Sequence, residues 1–153
     1  MNEEVSGRPA YREPKLIGLV AAGGTVGTLI RAALSSAFPA GDASFLWTIF
    51  LINVAGAFLL AFLTGMLPAL SPSPARQRGI KLLFGTGLLG GFTTYSTFAI
   101  DVTHLAGLGQ LETAALAILY AGGTVILGAV SAFAGLLLAR RVTADRTRGG
   151  ENA

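Results

Sequence analysis

The chain reads as an all-α membrane protein of four transmembrane helices, the third of them broken. Three observations predict this. Hydrophobic residues make up 52% of the 153 positions and charged residues 12%, with a mean hydropathy of +0.65; this balance excludes a soluble globular protein. Four charge-free runs follow one another, Leu16 to Ile30, Ala43 to Ala75, Leu82 to Ile100 and Thr113 to Ala139, and at ~20 residues per crossing they make four spans. The third run holds Gly90-Gly91-Phe92-Thr93-Thr94-Tyr95-Ser96-Thr97-Phe98 at its centre. Two adjacent glycines and four hydroxyl residues interleaved with aromatics suit a continuous membrane helix badly. Backbone groups freed from a helix in hydrocarbon need protein, ion or water partners, so a break there points to an ion site or pathway.

Residues 1–14 are polar and read as a disordered cytoplasmic tail, and residues 143–153, with Arg146, Arg148 and two glycines, as a second one. Between them, residues 15–142 form one four-helix transmembrane domain. The first run, extended to about Ala37, follows Arg8, Arg12 and Lys15 and so imitates a signal peptide. Its length, its glycines, its arginine end and the three runs behind it make it the first crossing instead. The second helix is expected from about Phe45 to Leu67. The connector from Pro68 to Arg78 carries three prolines and is expected to interrupt helix. Phe38 to Asp42 links the first two helices and Asp101 to Glu112 the last two.

With four crossings, the two termini and the middle connector share one side. That side holds Arg8, Arg12, Lys15, Arg76, Arg78, Lys81, Arg140, Arg141, Arg146 and Arg148, ten of the eleven basic residues. The positive-inside rule then places both termini in the cytoplasm. The same distribution discounts nucleic acid as the reason for a basic pI. The absence of cysteine excludes disulfides and thiolate metal sites. No nucleophile–base arrangement or phosphate loop is present, so the chain reads as no enzyme.

Small residues four apart at Gly23 and Gly27, Gly87 and Gly91, and Thr124 and Gly128 have the spacing of close helix packing. Arg31 lies one turn beyond Gly27. An intramembrane arginine is costly unless paired, snorkelling or facing water, so it reads as a helix-end residue or as a positive charge at an anion vestibule. Asn53, amid apolar neighbours, brings an amide that hydrocarbon cannot satisfy; interhelical bonding and an anion path are both open to it. Tyr95 and Phe98, three apart, share a helix face, and aromatic ring edges carry partial positive charge that could face a small anion. Tyr120 and Thr124 share a face of the fourth helix. Asp101 and His104 fall near a membrane boundary, the histidine without a second ligand.

Taken together, Gly23-Gly24-x-x-Gly27-x-x-x-Arg31, Asn53-x-x-Gly56-x-Phe58 and the Gly90 to Phe98 motif resemble the Fluc family of fluoride channels, also called CrcB proteins. The match covers all four runs, and the third-run motif is the specific one. The resemblance implies a fluoride-specific channel in the cell membrane, giving passive fluoride efflux and resistance to fluoride toxicity. It implies two four-helix subunits packed as an antiparallel dimer with two pores. It implies a structural sodium ion at the dimer centre, held by the backbone carbonyls of Gly90 and Thr93. Tyr95 and Phe98 fall on the family's paired phenylalanines, Asn53 on its pore asparagine, and Ser96 and Thr97 on hydroxyls beside the pore. Tyr120 and Thr124 fall on its fourth-helix polar track, Arg31 near the vestibule, and Asp101 on an acidic position after the motif.

Three departures stand out. Tyr95 brings a hydroxyl where the family has a bare ring edge, Ile49 stands where a second-helix threonine is expected, and Ala32 replaces an aromatic. The ten-to-one basic bias also differs from the near-balance of subunits that insert in both orientations, so the expected partner is an oppositely oriented paralogue. Two other functional classes share parts of this pattern. A small multidrug-resistance type exporter needs a carboxylate within its first helix, and Leu16 to Ile30 contains none. A non-conducting scaffold subunit of a heterodimeric channel remains the alternative, separable by mutating Tyr95 and Phe98 in the assembled pair.

Overall fold

The computed structural model describes residues 9–38, 43–107 and 111–150, and among these the only regular structure is helical. A 3-10 turn, Ala10–Arg12, leads into α1 (Pro14–Ala37), followed by α2 (Ala43–Leu70). The third run is built from four pieces: α3 (Pro74–Ile80), a π-helical segment (Lys81–Leu89), α4 (Gly90–Phe92) and, after two non-helical residues, α5 (Tyr95–Gly107). The chain closes with α6 (Leu111–Gly150). Pro14–Ala37, Leu46–Leu70 and Leu111–Ala144 are each long and apolar enough to cross a membrane. The third run is not among them because its helical axis is interrupted.

Helix starts and stops follow local chemistry. Pro14 opens α1 at a first-turn position, where its missing N–H costs nothing; the Glu13 carbonyl accepts from Leu16 and Ile17 at 2.9 and 3.1 Å. The connector differs from expectation. Pro68 lies inside α2, which continues to Leu70, and Pro74 is the first residue of α3. Pro68, two residues before the end of α2, forfeits a helical hydrogen bond without ending the helix, whereas Pro74 at a helix start fits without loss. The true break is Ser71 to Ser73. Buried Ser71 holds it together: its Oγ accepts from Ser73 N at 3.2 Å, and its carbonyl accepts from the Gln77 amide at 2.7 Å. An ion pair from Arg78 to Glu13, 3.1 Å, ties α3 to the start of α1.

The tail boundaries also differ. The 3-10 turn and Glu13 fall in the first 14 residues, and α6 carries helix through residues 143–150, since nothing between Val142 and Arg148 is a helix breaker. The remainder of both expected tails, residues 1–8 and 151–153, lies outside the described residues, as do residues 39–42 and 108–110.

Two glycine seams organise the packing. Along α1, a Cβ at Gly23 would collide with the Leu83 carbonyl and one at Gly27 with the Leu88 carbonyl; at Gly87 it would meet the Val20 carbonyl at 2.8 Å. Main chain therefore lies on main chain, and the widened π-helical segment is the surface that α1 rides on. Along α2 and α6, Gly135 sits under the Phe58 carbonyl and Gly65 against Ala139. Gly128 differs: nothing stands within 4 Å of its Cβ position, so it leaves space instead of closing a contact. Among the described residues few apolar side chains are buried, Ile49, Ile52, Met66, Leu67, Leu89, Ala117 and Ala139. Leu29, Trp47, Ile100, Ile118, Leu119 and Phe133 are exposed, a surface suited to hydrocarbon.

Candidate functional site

The site is the interruption in the third run. Helix α4 ends at Phe92, Thr93 takes an extended conformation (φ −74°, ψ 157°), and α5 begins at Tyr95. The interruption therefore falls two residues beyond the Gly90-Gly91 pair. Thr93 ends the first half locally, with its N–H and its hydroxyl both donating to the Leu89 carbonyl at 3.0 and 2.9 Å. Thr94 starts the second half as a helix N-cap. Its Oγ1 accepts from Thr97 N at 3.2 Å and donates to the Thr97 hydroxyl at 3.0 Å, with the Ser96 hydroxyl 3.4 Å away. This arrangement satisfies one of the N–H groups that a helix start leaves open.

Two neighbouring helices hold the interruption. From α2, the Asn53 amide pairs with both backbone groups of Thr94: Nδ2 donates to the Thr94 carbonyl at 3.1 Å and Oδ1 accepts from Thr94 N at 3.0 Å. From α1, Arg31 Nε donates to the Gly91 carbonyl at 3.1 Å, with the Thr28 hydroxyl on the same oxygen at 3.5 Å. Below this clamp, a Cβ at Gly56 would strike the Thr93 methyl; glycine there lets α2 approach the extended residue.

The clamp has an electrostatic consequence. In an unbroken helix Thr94 N–H would return to the Gly90 carbonyl and Thr97 N–H to the Thr93 carbonyl. Here the first donates to Asn53 and the second to the Thr94 hydroxyl, so both carbonyls leave the helical ladder. The α4 end of the break thus carries partial negative charge and the α5 end, at Tyr95 and Ser96, partial positive charge.

A recess of about 320 Å³ opens beside the α5 end, lined by Asn53, Thr93, Thr94, Tyr95, Phe98, Thr124, Val125 and Gly128. A second, of about 290 Å³, lies between α2 and the third run and includes Asn53, Gly56, Gly85, Gly90 and Thr93. Two rings, Tyr95 and Phe98, border the first recess, and a third, Tyr120, stands beside Phe98. Tyr95 and Phe98 have centroids 6.2 Å apart, and Phe98 and Tyr120 5.5 Å, all tilted. The Tyr120 hydroxyl donates to the buried Asp101 carboxylate at 3.4 Å. The Thr124 hydroxyl is turned to the Tyr120 carbonyl at 2.6 Å.

Of the residues singled out in the sequence, Asn53, Thr93, Tyr95, Phe98 and Thr124 line one recess; Tyr120 joins it through Phe98. Gly90 and Thr93 line the other. Thr97 lies within the α5 cap and exposed Ser96 at its rim. Arg31 stands on the far side of the break, on Gly91. Two residues escaped the sequence reading. Thr94 left a signal, a hydroxyl residue three positions before Thr97 at a helix start. Thr28 left one as well, being one turn before Arg31 on the glycine face of α1.

A helical, multi-pass membrane protein with a clamped break in one run, bordered by aromatic rings, is the class these features define. The family model for CrcB-like protein, Camphor Resistance (CrcB), matches residues 18–136, and the chain belongs to that family. It is 40% identical over 138 residues to fluoride-specific ion channel FluC 2 of Leifsonia xyli subsp. xyli, covering 90% of this chain and 92% of that one. It is 39% identical to fluoride-specific ion channel FluC of Novosphingobium aromaticivorans, over 80% and 94% of the two chains. With FluC 1 of Cutibacterium acnes it shares 42% over 99 residues, 65% of this chain and 69% of the relative. These relatives are named as channels, not as enzymes.

Proposed function

We propose that this chain is a subunit of a fluoride-specific channel that lets fluoride leave the cytoplasm passively and so confers resistance to it. The observation that carries the proposal is the convergence of Asn53, Tyr95, Phe98 and Thr124 on one recess beside the helix break. A small anion there meets a helix start and tilted ring edges in place of a full positive charge. Partial charges of that kind hold an anion without trapping it, which conduction requires. Ser96, Thr97 and Tyr120 supply further hydroxyls along the path, and membrane potential drives export.

The recess is open on one side and Tyr95 is 82% exposed, so the path is proposed to be completed by a second subunit, packed antiparallel. The Gly90 and Thr93 carbonyls suit a structural sodium ion at that junction. Both are released from the helical ladder by the Asn53–Thr94 pairing and the Thr94 cap, and oxygen donors match a hard cation. Bound there, sodium would neutralise the negative end of the break. Both termini are assigned to the cytoplasmic side of the cell membrane by the basic bias, and the same bias favours an oppositely oriented paralogue as partner.

The test is fluoride efflux from liposomes, read with a fluoride electrode and with chloride as control. Rapid efflux of fluoride alone supports the channel. A non-conducting scaffold subunit is the second reading, favoured by the Tyr95 and Ile49 departures. It is selected if the Tyr95→Ala and Phe98→Ala changes leave the flux of an assembled pair unaltered.

A further inference from the structure

We infer that Arg31 is a positioning residue of the helix break, holding the Gly91 carbonyl, and not a collector of anions at a vestibule. The inference rests on the channel reading for its consequence but on geometry for its substance. Gly91 lies one residue from the end of α4, and Tyr95, whose N–H would return to the Gly91 carbonyl in an unbroken helix, begins α5. That carbonyl therefore needs another donor, and hydrocarbon offers none. Arg31 Nε supplies it at 3.1 Å from a half-buried position, and the Thr28 hydroxyl approaches the same oxygen at 3.5 Å.

The register of α1 makes this reach possible. Gly24 and Gly27 bring α1 onto the main chain of the third run, so that a Cβ at Gly91 would lie 2.5 Å from the Gly24 carbonyl and 3.0 Å from the Thr28 hydroxyl. Arg31 follows one turn after Gly27 and arrives at the carbonyl end of α4, where a cation complements the helix dipole. A charge-assisted bond of this kind is among the stronger hydrogen bonds a protein makes. The same contact answers how an arginine is accommodated between apolar faces: its charge is matched by a helix end. Asn53 grips the next residues from the opposite helix, so Gly91 and Thr94 are fixed on both sides of Phe92 and Thr93.

The two roles predict different kinetics. An anion collector acts through charge and local fluoride concentration, so lysine replaces it and high fluoride rescues its loss. A positioning donor acts through its Nε, which lysine lacks. Arg31→Lys and Arg31→Gln are compared in liposome efflux over a range of fluoride concentrations. The positioning role is expected to lower maximal flux by about tenfold or more in both variants, with half-saturating fluoride unchanged. Wild-type flux in Arg31→Lys, with Arg31→Gln rescued by raised fluoride, overturns it.

A second measurement needs no variant to fold. Gly91–Phe92 is the only Gly-Phe pair in the chain, so labelling glycine with carbonyl ¹³C and phenylalanine with ¹⁵N isolates the Gly91 carbonyl resonance. With ¹⁵N arginine added, a coupling across the hydrogen bond between Arg31 Nε and that carbonyl is expected in the wild-type protein. Its absence overturns the assignment. This readout stands whether or not the protein passes fluoride, so failure of the channel reading and failure of the Arg31 role are separable.

Discussion

Asn53 and Thr94, 41 positions apart, exchange two hydrogen bonds of 3.1 and 3.0 Å through which one side-chain amide replaces a turn of helix. The pair explains how a break can persist where water is scarce. The amide supplies one donor and one acceptor in the geometry that a neighbouring strand would offer, and by taking the Thr94 N–H it leaves the Gly90 carbonyl outside the helical ladder. Substitution of Asn53 by alanine removes both partners of Thr94 at once. A loss of about 2 kcal/mol or more is expected from the two stranded groups, seen as a lowered midpoint of unfolding in detergent, together with lost flux. An Asn53→Ala variant with wild-type stability would detach the amide from this role.

The Thr94 cap makes a finer prediction. Serine keeps the hydroxyl that accepts from Thr97 N, and valine keeps the shape without it. Thr94→Val should cost about 1 kcal/mol and speed hydrogen exchange at the first amides of α5. Thr94→Ser should leave both unchanged.

The glycines of the sequence are not equivalent, although their spacing is. Gly27→Ala would push a methyl group into the Leu88 carbonyl, which is main chain and cannot swing aside. Gly128→Ala would point a methyl into open space. Yield and thermal stability in detergent should fall sharply for the first variant and stay within about 0.5 kcal/mol of wild type for the second.

Tyr95 tests the departure from the family motif. Its ring is in a tilted contact with Phe98, and the hydroxyl has no role in that contact. Tyr95→Phe is therefore expected to retain or raise fluoride flux, and Phe98→Ala to lower it about tenfold or more, since it removes the middle ring of the row. Equal flux in all three proteins would move the path away from these rings.

Much of this architecture was legible in the sequence. Charge-free runs are set by the solvent, so three candidate crossings could be read directly, as could the glycine faces at 23, 27, 87 and 91. The π-helical form of Lys81–Leu89 could not, because it depends on the backbone of α1 lying against it. Pro68 misled because one forfeited bond does not end a helix whose neighbouring residues, Met66 and Leu67, are buried by packing that composition does not reveal. At the site, residue types marked Asn53, Tyr95 and Phe98 as unusual. The partners of Asn53 and Arg31 come from segments about 40 and 60 positions away, a pairing that only the fold supplies.

The most direct test of the central claim is anion-selective efflux. Liposomes are prepared with the chain alone and with the chain co-assembled with a family member of opposite charge bias, and fluoride and chloride release are recorded side by side. The account predicts fast fluoride release with no chloride release in at least one preparation, lowered about tenfold or more by Phe98→Ala. Silence in both preparations, or chloride released as fast as fluoride, would contradict it.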